Sequence, residues 1–201
     1  MYCILVTGIP AAGKSTIAKY LSEKLGIPMI SKDTIKELLF DEVGFNTREE
    51  KVKLGTASAN IMYYMAEQLM SHKQPFILEN NFENATKDGL HQVLDKYSYK
   101  TITITLTGDY RTIYERFVER NNCPTRHRGH VVNDCYPEKE PGRIIEPMSY
   151  ESFENAVVSR GMDAYVGNGP HIVVDTTDFS NVDKDDIVNQ ILGYKEQLYV
   201  D

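Results

Sequence analysis

Short apolar runs of strand length alternate along the chain with helical repeats. Five runs are either rich in β-branched residues or alternate with polar residues, as β-strands do. They lie at residues 2–7, 27–30, 75–78, 100–107 and 170–175. Between them, apolar residues recur every three or four positions, which is typical of amphipathic helices. This alternation predicts an α/β fold with a parallel sheet covered by helices on both faces.

The helical repeats set approximate element boundaries. We expect helices at about 14–25, 34–40, 48–72, 85–97, 110–120, 150–166 and 183–198. Gly26 lies just past the first of them, where a C-terminal glycine is favoured. The long helix 48–72 has one predicted buried face, formed by Leu54, Ala57, Ile61, Met65 and Leu69. The strict alternation in 100–107 predicts a strand with one less apolar face.

Composition narrows the class of protein. The 201 residues are enough for one domain with a sizeable core, and we expect a single domain over 1–201. A net charge of −7 argues against a general nucleic-acid-binding surface. The apolar start is six residues long, which indicates a strand and neither a signal peptide nor a membrane span. Three cysteines make no disulfide framework, so a reducing, cytoplasmic location is expected.

A glycine-rich motif connects the first strand to the first helix. Residues 8–15 read G-I-P-A-A-G-K-S, which is the P-loop pattern in the strand-to-helix context that it requires. Backbone N–H groups of such a loop bind phosphates, the lysine reaches the β- and γ-phosphates, and the serine hydroxyl ligates Mg²⁺. A chance turn is the alternative, and the four filled positions disfavour it. The predicted ATP-binding residues are Gly8, Ala11, Ala12, Gly13, Lys14, Ser15 and Thr16.

Two acidic residues follow buried strands. Asp33 comes after the second strand and Glu79 ends the third. The carboxyl ends of parallel strands face the ligand crevice of an open sheet. Asp33 is therefore either a catalytic carboxylate or a helix N-cap. Glu79 either holds Mg²⁺ through water, or orients the acceptor, or caps the helix that follows.

Residues 121–147 break the pattern of strands and helices. This stretch holds four prolines and a basic half with Arg126, His127, Arg128, His130 and Arg143. A long loop inside a compact domain is usually functional or disordered. Because it follows a helix that carries Arg116 and Arg120 on one face, we interpret it as a lid that delivers arginines to a transferring phosphate. A solvated, flexible insertion is the alternative.

The same stretch contains a possible zinc site. Cys123, His127, His130 and Cys135 lie within thirteen residues and could form a Cys₂His₂ site. Their spacing, C-x₃-H-x₂-H-x₄-C, is not a standard one for zinc. The hypothesis is therefore open at this point.

Taken together, these stretches resemble the P-loop kinases of the nucleoside-monophosphate-kinase class. The likeness is greatest to the AAA-type ATP-binding kinases related to zeta toxins, chloramphenicol phosphotransferase and polynucleotide 5′-kinase. The matching stretches are 8–16, 31–33, 77–82, 115–120, 126–130 and 174–178. The resemblance implies a three-layer P-loop fold with sheet order 2-3-1-4-5 and a lid. It also implies ATP as phosphate donor and Asp33 as the group that accepts the proton of an acceptor hydroxyl.

The resemblance extends to further site residues. It implies that lid arginines stabilise the transferring phosphate, and the candidates are Arg116, Arg120, Arg126 and Arg128. It also implies that Asp175 and Thr177, in the loop after the last strand, border the adenine. Residues 134–147 depart from the family pattern, which leaves the acceptor open.

The predicted activity is transfer of the γ-phosphate of ATP to a hydroxyl of a small molecule, with Lys14, Asp33, Arg116, Arg120 and Arg126 as catalytic residues and Ser15 and Glu79 as Mg²⁺ ligands. One alternative is an ATP-binding regulatory or switch protein with little turnover. Another is a 5′-hydroxyl polynucleotide kinase, which would need a basic channel that the net charge disfavours. The expected partners are ATP and the acceptor, with no membrane; the oligomeric state is open.

Overall fold

The structure is a computed structural model, and it describes residues 1–197. Its core is a parallel sheet of five strands in the order β2-β3-β1-β4-β5. The strands are β1 (Tyr2–Gly8), β2 (Met29–Ser31), β3 (Ile77–Glu79), β4 (Lys100–Thr107) and β5 (His171–Asp175). The predicted sheet and its order are confirmed.

Helices connect consecutive strands. They are α1 (Lys14–Leu25), α2 (Lys32–Val43), α3 (Arg48–Ser71), α4 (Lys87–Tyr97), α5 (Tyr110–Asn122), α6 (Arg128–Val131), α7 (Tyr150–Arg160) and α8 (Lys184–Gln197). Helix α2 is longer at both ends than predicted. Helix α7 stops at Arg160 and not at 166, because Gly161 adopts a left-handed conformation with φ 63° and ends it. Position 198, the predicted end of the last helix, lies outside the described residues.

The sheet carries a core on each face. Successive side chains of a strand point to opposite faces, so Ile4 and Val6 join one buried cluster while Cys3 and Leu5 join the other. The first cluster includes residues of α1, α5, α7 and α8, and the second includes residues of α3 and α4. This arrangement is the predicted three-layer fold.

The predicted buried face of α3 is wrong at Ile61 and Met65, whereas Leu54 and Leu69 are partly buried against core clusters. Ile61 and Met65 are 38% and 41% exposed. The side chains that pack into the core lie mainly one position further along: Ala59, Met62, Tyr63, Ala66 and Met70. The helix contacts both α2 and the sheet side of the core, so its apolar residues cover two adjacent faces, and spacing alone did not separate them.

Strand β4 buries both of its faces. Thr103 and Thr105 are almost completely buried, although the alternation predicted a less apolar face. The hydroxyl of Thr105 lies 2.8 Å from His171 Nε2, and that of Thr103 accepts from Gly167 N at 3.1 Å. Hydrogen bonds to β5 and to the loop before it therefore let these threonines lie inside the fold.

Part of the segment 121–147 packs against α2 and α3. This part contains α6 and pairs with the α2–α3 connection through an antiparallel bridge between Phe45 and Tyr136. Val132 lies in a small buried cluster with Phe40 and Phe45. Lys51 of α3 donates hydrogen bonds from Nζ to His130 O, Val132 O and Asn133 Oδ1. Residues 126–132 and 135–136 are thus at least partly buried, whereas most of 137–147 is exposed, and the choice between a lid and a solvated insertion stays a prediction. Between residues 1 and 197, no helix has both the length and the apolar character needed to cross a lipid bilayer.

Candidate active site

The carboxyl ends of the central strands open into a cavity of about 360 Å³. Most of the predicted site residues line it: Ala11, Gly13, Lys14, Ser15, Thr16, Asp33, Glu79, Arg116, Arg120 and Arg126. The other five, Gly8, Ala12, Arg128, Asp175 and Thr177, lie outside the described lining. The cavity therefore joins the P-loop, the two strand-end carboxylates and three arginines.

The P-loop needs glycine at both ends for conformational and steric reasons. Gly8 and Gly13 have φ values of 128° and 90°, which side chains rarely allow. A Cβ on Gly8 would lie 2.0 Å from Leu106 O, and one on Gly13 would lie 2.2 Å from Phe179 Cε2. Ala11, between them, also has a positive φ of 69°. Loops of this kind turn backbone N–H groups inward, which suits a phosphate.

Lys14 is buried at the start of α1. Its Nζ donates to Gly8 O at 3.0 Å and to Ile9 O at 2.9 Å. Burial lowers the pKa of Lys14 to about 8, while the nearby carboxylates of Glu79 and Asp33 oppose the shift. In its charged form, the ammonium group of Lys14 can donate charge-assisted hydrogen bonds to the β- and γ-phosphates.

Glu79 is 4% exposed at the end of β3. Its Oε2 accepts a hydrogen bond from Ser31 Oγ at 2.6 Å, and its carboxylate also interacts with the Ser15 hydroxyl. Burial raises its pKa, and Lys14 counteracts the rise. The suggestion that Glu79 caps the next helix is wrong, because α4 begins only at Lys87. A hydroxyl and a carboxylate are hard oxygen donors, so Ser15 and Glu79 fit Mg²⁺.

Asp33 lies in the first turn of α2 and faces the cavity. The N-cap of α2 is Ser31, whose Oγ accepts from Thr34 N at 3.5 Å, so the interpretation of Asp33 as the cap is wrong. No residue between 1 and 197 donates a hydrogen bond to the Asp33 carboxylate. Desolvation raises the pKa of the Asp33 carboxyl, but the charges of His130, Lys32 and Lys36 together lower it by more, so its pKa lies below the usual value. Asp33 is therefore an ionised carboxylate in an open cavity.

Two of the arginines present unused donors. The Nε atoms of Arg120 and Arg126 are buried and have no hydrogen-bond partner among the described residues. Burial and the charge of Arg126 lower the pKa of Arg120 to about 10. Arg126 lies 3.9 Å from Glu37. These guanidinium groups are available to an anion, because the protein supplies them with few partners of its own.

The other two arginines have structural partners. Arg116 donates to the carbonyls of Thr176 and Thr177 and forms part of the cavity wall. Arg128 makes a two-pronged ion pair with Glu138, with distances of 2.6 and 2.7 Å, and is outside the described cavity lining. The suggestion that Arg128 serves the phosphate is therefore not supported by its position.

The loop after β5 is a hydrogen-bonded turn next to the P-loop. Thr177 N donates to Asp175 Oδ1 at 2.7 Å, and Thr177 Oγ1 accepts from Asp109 N at 2.8 Å. The turn holds Arg116 through its carbonyls, and it leads to Phe179, which packs against Gly13. The adenine-binding role of Asp175 and Thr177 stays a prediction.

The four candidate zinc ligands do not converge. His127 Nε2 lies 3.0 Å from Asp41 Oδ1, and His130 Nε2 lies 2.8 Å from Glu37 Oε1. Cys123 is exposed, whereas Cys135 is buried. In the part of the chain that the structure describes, no three His, Cys, Asp or Glu side chains are arranged to hold a metal ion. The two histidines instead connect this segment to α2.

A second cavity, of about 190 Å³, adjoins the first and contains residues that the sequence analysis missed. They are Lys32, Lys36, Asn80, Glu83 and Arg160. Two signals point to part of this set: Lys32 and Lys36 are four residues apart around Asp33 on one helix, and Asn80 directly follows Glu79. Glu83 and Arg160 come from distant segments, and only the fold brings them together.

With this geometry in place, comparison with known proteins identifies the family. Residues 3–134 match the AAA_33 model, which is described as an AAA domain. The chain belongs to the AAA_33 family of AAA domains. The matched range includes the P-loop, both strand-end carboxylates and the first part of the segment 121–147.

Relatives of this AAA domain are kinases. The L-seryl-tRNA(Sec) kinase of Methanococcus maripaludis is 25% identical over 194 residues, which are 96% of this chain and 66% of the relative. A proposed kinase from Chloroflexus aurantiacus has a crystal structure that matches with a TM-score of 0.77 and 25% identity, over 96% of this chain and 97% of that one. Shikimate kinase from Bacteroides thetaiotaomicron shares the fold, with a TM-score of 0.53, 16% identity and 98% of each chain covered. The chain is thus a member of a P-loop kinase family.

Proposed function

We propose that this AAA domain is an ATP-dependent kinase that transfers the γ-phosphoryl group of ATP to a hydroxyl of a small-molecule acceptor. The observation that supports the proposal is one cavity with three kinds of group. It combines a P-loop lysine, an ionised carboxylate to which no residue of 1–197 donates a hydrogen bond, and two arginines whose buried Nε atoms have no partner within that range. A protein that only bound ATP would need the first of these alone.

The residues divide the reaction between them. The P-loop backbone and Lys14 hold the β- and γ-phosphates of ATP. Ser15 and Glu79 would hold Mg²⁺, which when bound neutralises charge on those phosphates. Arg120 and Arg126 extend donors toward the three equatorial oxygens of the moving phosphoryl group, where negative charge is spread.

Asp33 acts on the acceptor. Its carboxylate accepts a hydrogen bond from the acceptor hydroxyl and aims the oxygen at the γ-phosphorus. As the new oxygen–phosphorus bond forms, the bond between the γ-phosphorus and the β–γ bridging oxygen breaks. The hydroxyl proton passes to Asp33, and ADP leaves with the bridging oxygen.

A transfer screen tests the proposal. Labelled ATP and Mg²⁺ are mixed with pooled nucleosides, sugars, aminoglycosides and 5′-hydroxyl oligonucleotides. We expect label in one small-molecule pool and a loss of about 10²- to 10⁴-fold in kcat for Asp33→Asn, because the variant accepts the proton poorly. Asp95→Asn, at an exposed position of α4, is the matched control and is expected to keep full transfer.

Three outcomes would contradict the proposal. Transfer by Asp33→Asn at the wild-type rate would contradict the catalytic role assigned to the Asp33 carboxylate. Tight ATP binding without transfer to any pool would favour a regulatory switch. Transfer confined to oligonucleotides would make the protein a polynucleotide kinase. The screen also includes seryl-tRNA, because a relative carries that acceptor in its name.

A further inference from the structure

The second cavity lies where an acceptor would wait for transfer. It shares Asp33, Arg120 and Arg126 with the P-loop cavity. Its own part extends along the first turns of α2 and past the end of β3. An acceptor whose hydroxyl reaches Asp33 therefore places the rest of its body against these walls.

This second cavity is basic in an acidic protein. Five Lys and Arg side chains line it against three Asp and Glu side chains, although the whole chain has a net charge of −7. The basic residues are Lys32, Lys36, Arg120, Arg126 and Arg160, and the acidic ones are Asp33, Glu79 and Glu83. A local excess of positive charge in a concave site attracts an anion.

Most of these charges already have a partner or a task. Arg160 holds Glu83 through Nε and Nη2, with the Nε contact at 2.8 Å. Glu79 accepts from Ser31. Arg120 and Arg126 also line the P-loop cavity, where the transferring phosphate would meet them. The two basic residues that remain are Lys32 and Lys36.

Lys32 and Lys36 have no ion pair with any described residue. Both are partly buried on one face of α2, four residues apart. The Nζ of Lys36 lies 5.4 Å from the ring centre of Phe40 and has no carboxylate within 4.0 Å in residues 1–197. Burial and the neighbouring charge of Lys32 lower the pKa of Lys36 to about 8. The two ammonium groups repel each other, and the Asp33 carboxylate, whose pKa they lower, lies beyond ion-pair distance of both, so this side of the cavity favours an added anion.

Asn80 gives an independent indication. Its side chain is 6% exposed and lines the second cavity. Its Nδ2 is buried and has no hydrogen-bond partner among the described residues. A buried amide donor without a partner costs free energy, so a ligand acceptor at this point would satisfy it.

We infer that the acceptor carries an anionic group, a carboxylate or a phosphate ester, in addition to the hydroxyl that is phosphorylated. Lys32, Lys36 and Asn80 bind this group in the second cavity while Asp33 orients the hydroxyl. The inference rests on the proposed kinase function for its biological meaning. The anion site itself can be tested without turnover.

The first test measures binding alone. The protein is saturated with Mg²⁺ and a non-hydrolysable ATP analogue, which fills the γ-phosphate position, and inorganic phosphate is titrated by calorimetry. We expect one phosphate to bind, and Lys36→Gln to weaken binding by about tenfold or more, because a charge-assisted hydrogen bond is lost. Asn80→Asp adds a negative charge at the same site and is expected to weaken binding at least as much.

The matched control is Lys53→Gln, an exposed lysine on α3. It is expected to bind phosphate as the wild type does. Circular dichroism and thermal melting show whether each variant is folded, and Lys32→Gln provides a second site variant. The inference would be overturned if the wild-type protein bound no phosphate. It would also be overturned if folded Lys36→Gln and Lys32→Gln both bound phosphate as tightly as the wild type does.

The second test identifies the kind of anion. Glycerol, glycerate and glycerol 3-phosphate offer similar hydroxyls with no anion, a carboxylate or a phosphate, and nucleosides are paired with their nucleotides in the same way. We expect kcat/KM for one anionic series to exceed that for its neutral partner by about 100-fold, and Lys36→Gln to reduce this ratio by about tenfold. A neutral compound used as well as its anionic partner would overturn the inference.

The two proposals fail in different ways. Phosphate binding that depends on Lys36, without transfer to any acceptor, would support the anion site and contradict the kinase. Transfer to neutral acceptors that is unaffected by Lys36→Gln would support the kinase and contradict the anion site. Transfer to a 5′-hydroxyl oligonucleotide alone would assign the anion site to a nucleic-acid backbone and overturn the small-molecule acceptor.

Discussion

Gly13 shows how one atom sets the geometry of the P-loop. It has a left-handed φ of 90° and lies beneath the ring of Phe179, with no room for a Cβ. The turn after β5 brings Phe179 to this point, so the loop that holds Arg116 also closes over the P-loop. The motif glycine therefore has a tertiary contact as well as its proposed role in phosphate binding.

We predict that Gly13→Ala destabilises the protein by about 1–3 kcal/mol and weakens ATP binding, because it adds both backbone strain and a clash. Thermal unfolding and ATP titration measure the two effects. Phe179→Ala in the Gly13→Ala background is expected to relieve the clash but not the strain, and to recover part of the loss.

A different glycine is the control for that prediction. Gly193 lies in α8 with no described atom within 4 Å of an added Cβ. Gly193→Ala is expected to stabilise the helix by about 0.5–1 kcal/mol. Equal effects of the two substitutions would contradict the steric argument.

At the scale of elements, the proposed lid, residues 121–147, is joined to α3 by a buried lysine. Lys51 is 3% exposed, and its Nζ donates to two carbonyls and one amide oxygen of the lid. Burial, followed by the charges of Lys36, Arg48 and Arg126, lowers its pKa to about 7, and the charge of Asp134 opposes the shift. The lid thus rests on a cation that has no carboxylate partner within ion-pair distance in the described chain.

This shift predicts a pH dependence of stability. Folded Lys51 releases its proton near pH 7, whereas the unfolded side chain keeps it to about pH 10.4. The unfolded state therefore binds more protons in between, and the free energy of unfolding rises with pH through this contribution. We expect Lys51→Met to reduce the slope between pH 7.5 and 9.5 by up to about 1.4 kcal/mol per pH unit.

Urea unfolding at several pH values measures that slope. Lys53→Met, an exposed change on the same helix, is expected to leave the slope unchanged. At pH 7, Lys51→Met is also expected to speed amide exchange in residues 128–136, because the lid carbonyls lose their donor. An unaltered slope in Lys51→Met would contradict the assigned titration.

The elements differ in how far the sequence predicted them. The P-loop and the five strands follow from local patterns, because a motif with its flanks and a run of β-branched residues depend little on distant contacts. The predicted buried face of α3 was wrong at Ile61 and Met65, because these residues satisfy the same spacing as Met62 and Ala66. The partnership of Arg128 with Glu138 depends on how the lid folds back, and no local pattern contains that information.

At the scale of the whole molecule, ligand binding draws on both sides of the sheet. The cavity takes residues from the P-loop, from α2, from the end of β3 and from α5 with the lid. A ligand that binds all of these links segments that are far apart in the chain. Its binding free energy then adds to the stability of the folded state.

We predict that a nucleotide at 100 times its Kd, with Mg²⁺, stabilises the fold by about 2.7 kcal/mol, which corresponds to a rise in Tm of about 5–10 °C for a chain of this size. Lys14→Met is expected to lose most of the rise at the same concentration. Differential scanning fluorimetry with ATP, and with GTP as a comparison, measures this. A rise in Lys14→Met equal to that of the wild type would contradict nucleotide binding at the P-loop.

Helix α2 makes two sets of contacts, and the angle between them around the helix axis is fixed by the number of residues that separates them. Asp33 faces the cavity, while Glu37 and Asp41 bind His130 and His127 of the lid. One residue inserted between Asp33 and Glu37 would turn one set by about 100° relative to the other and shift it by about 1.5 Å. We therefore expect related sequences to tolerate substitutions along α2 that change the substrate. We expect them not to tolerate an insertion or deletion between Asp33 and Glu37.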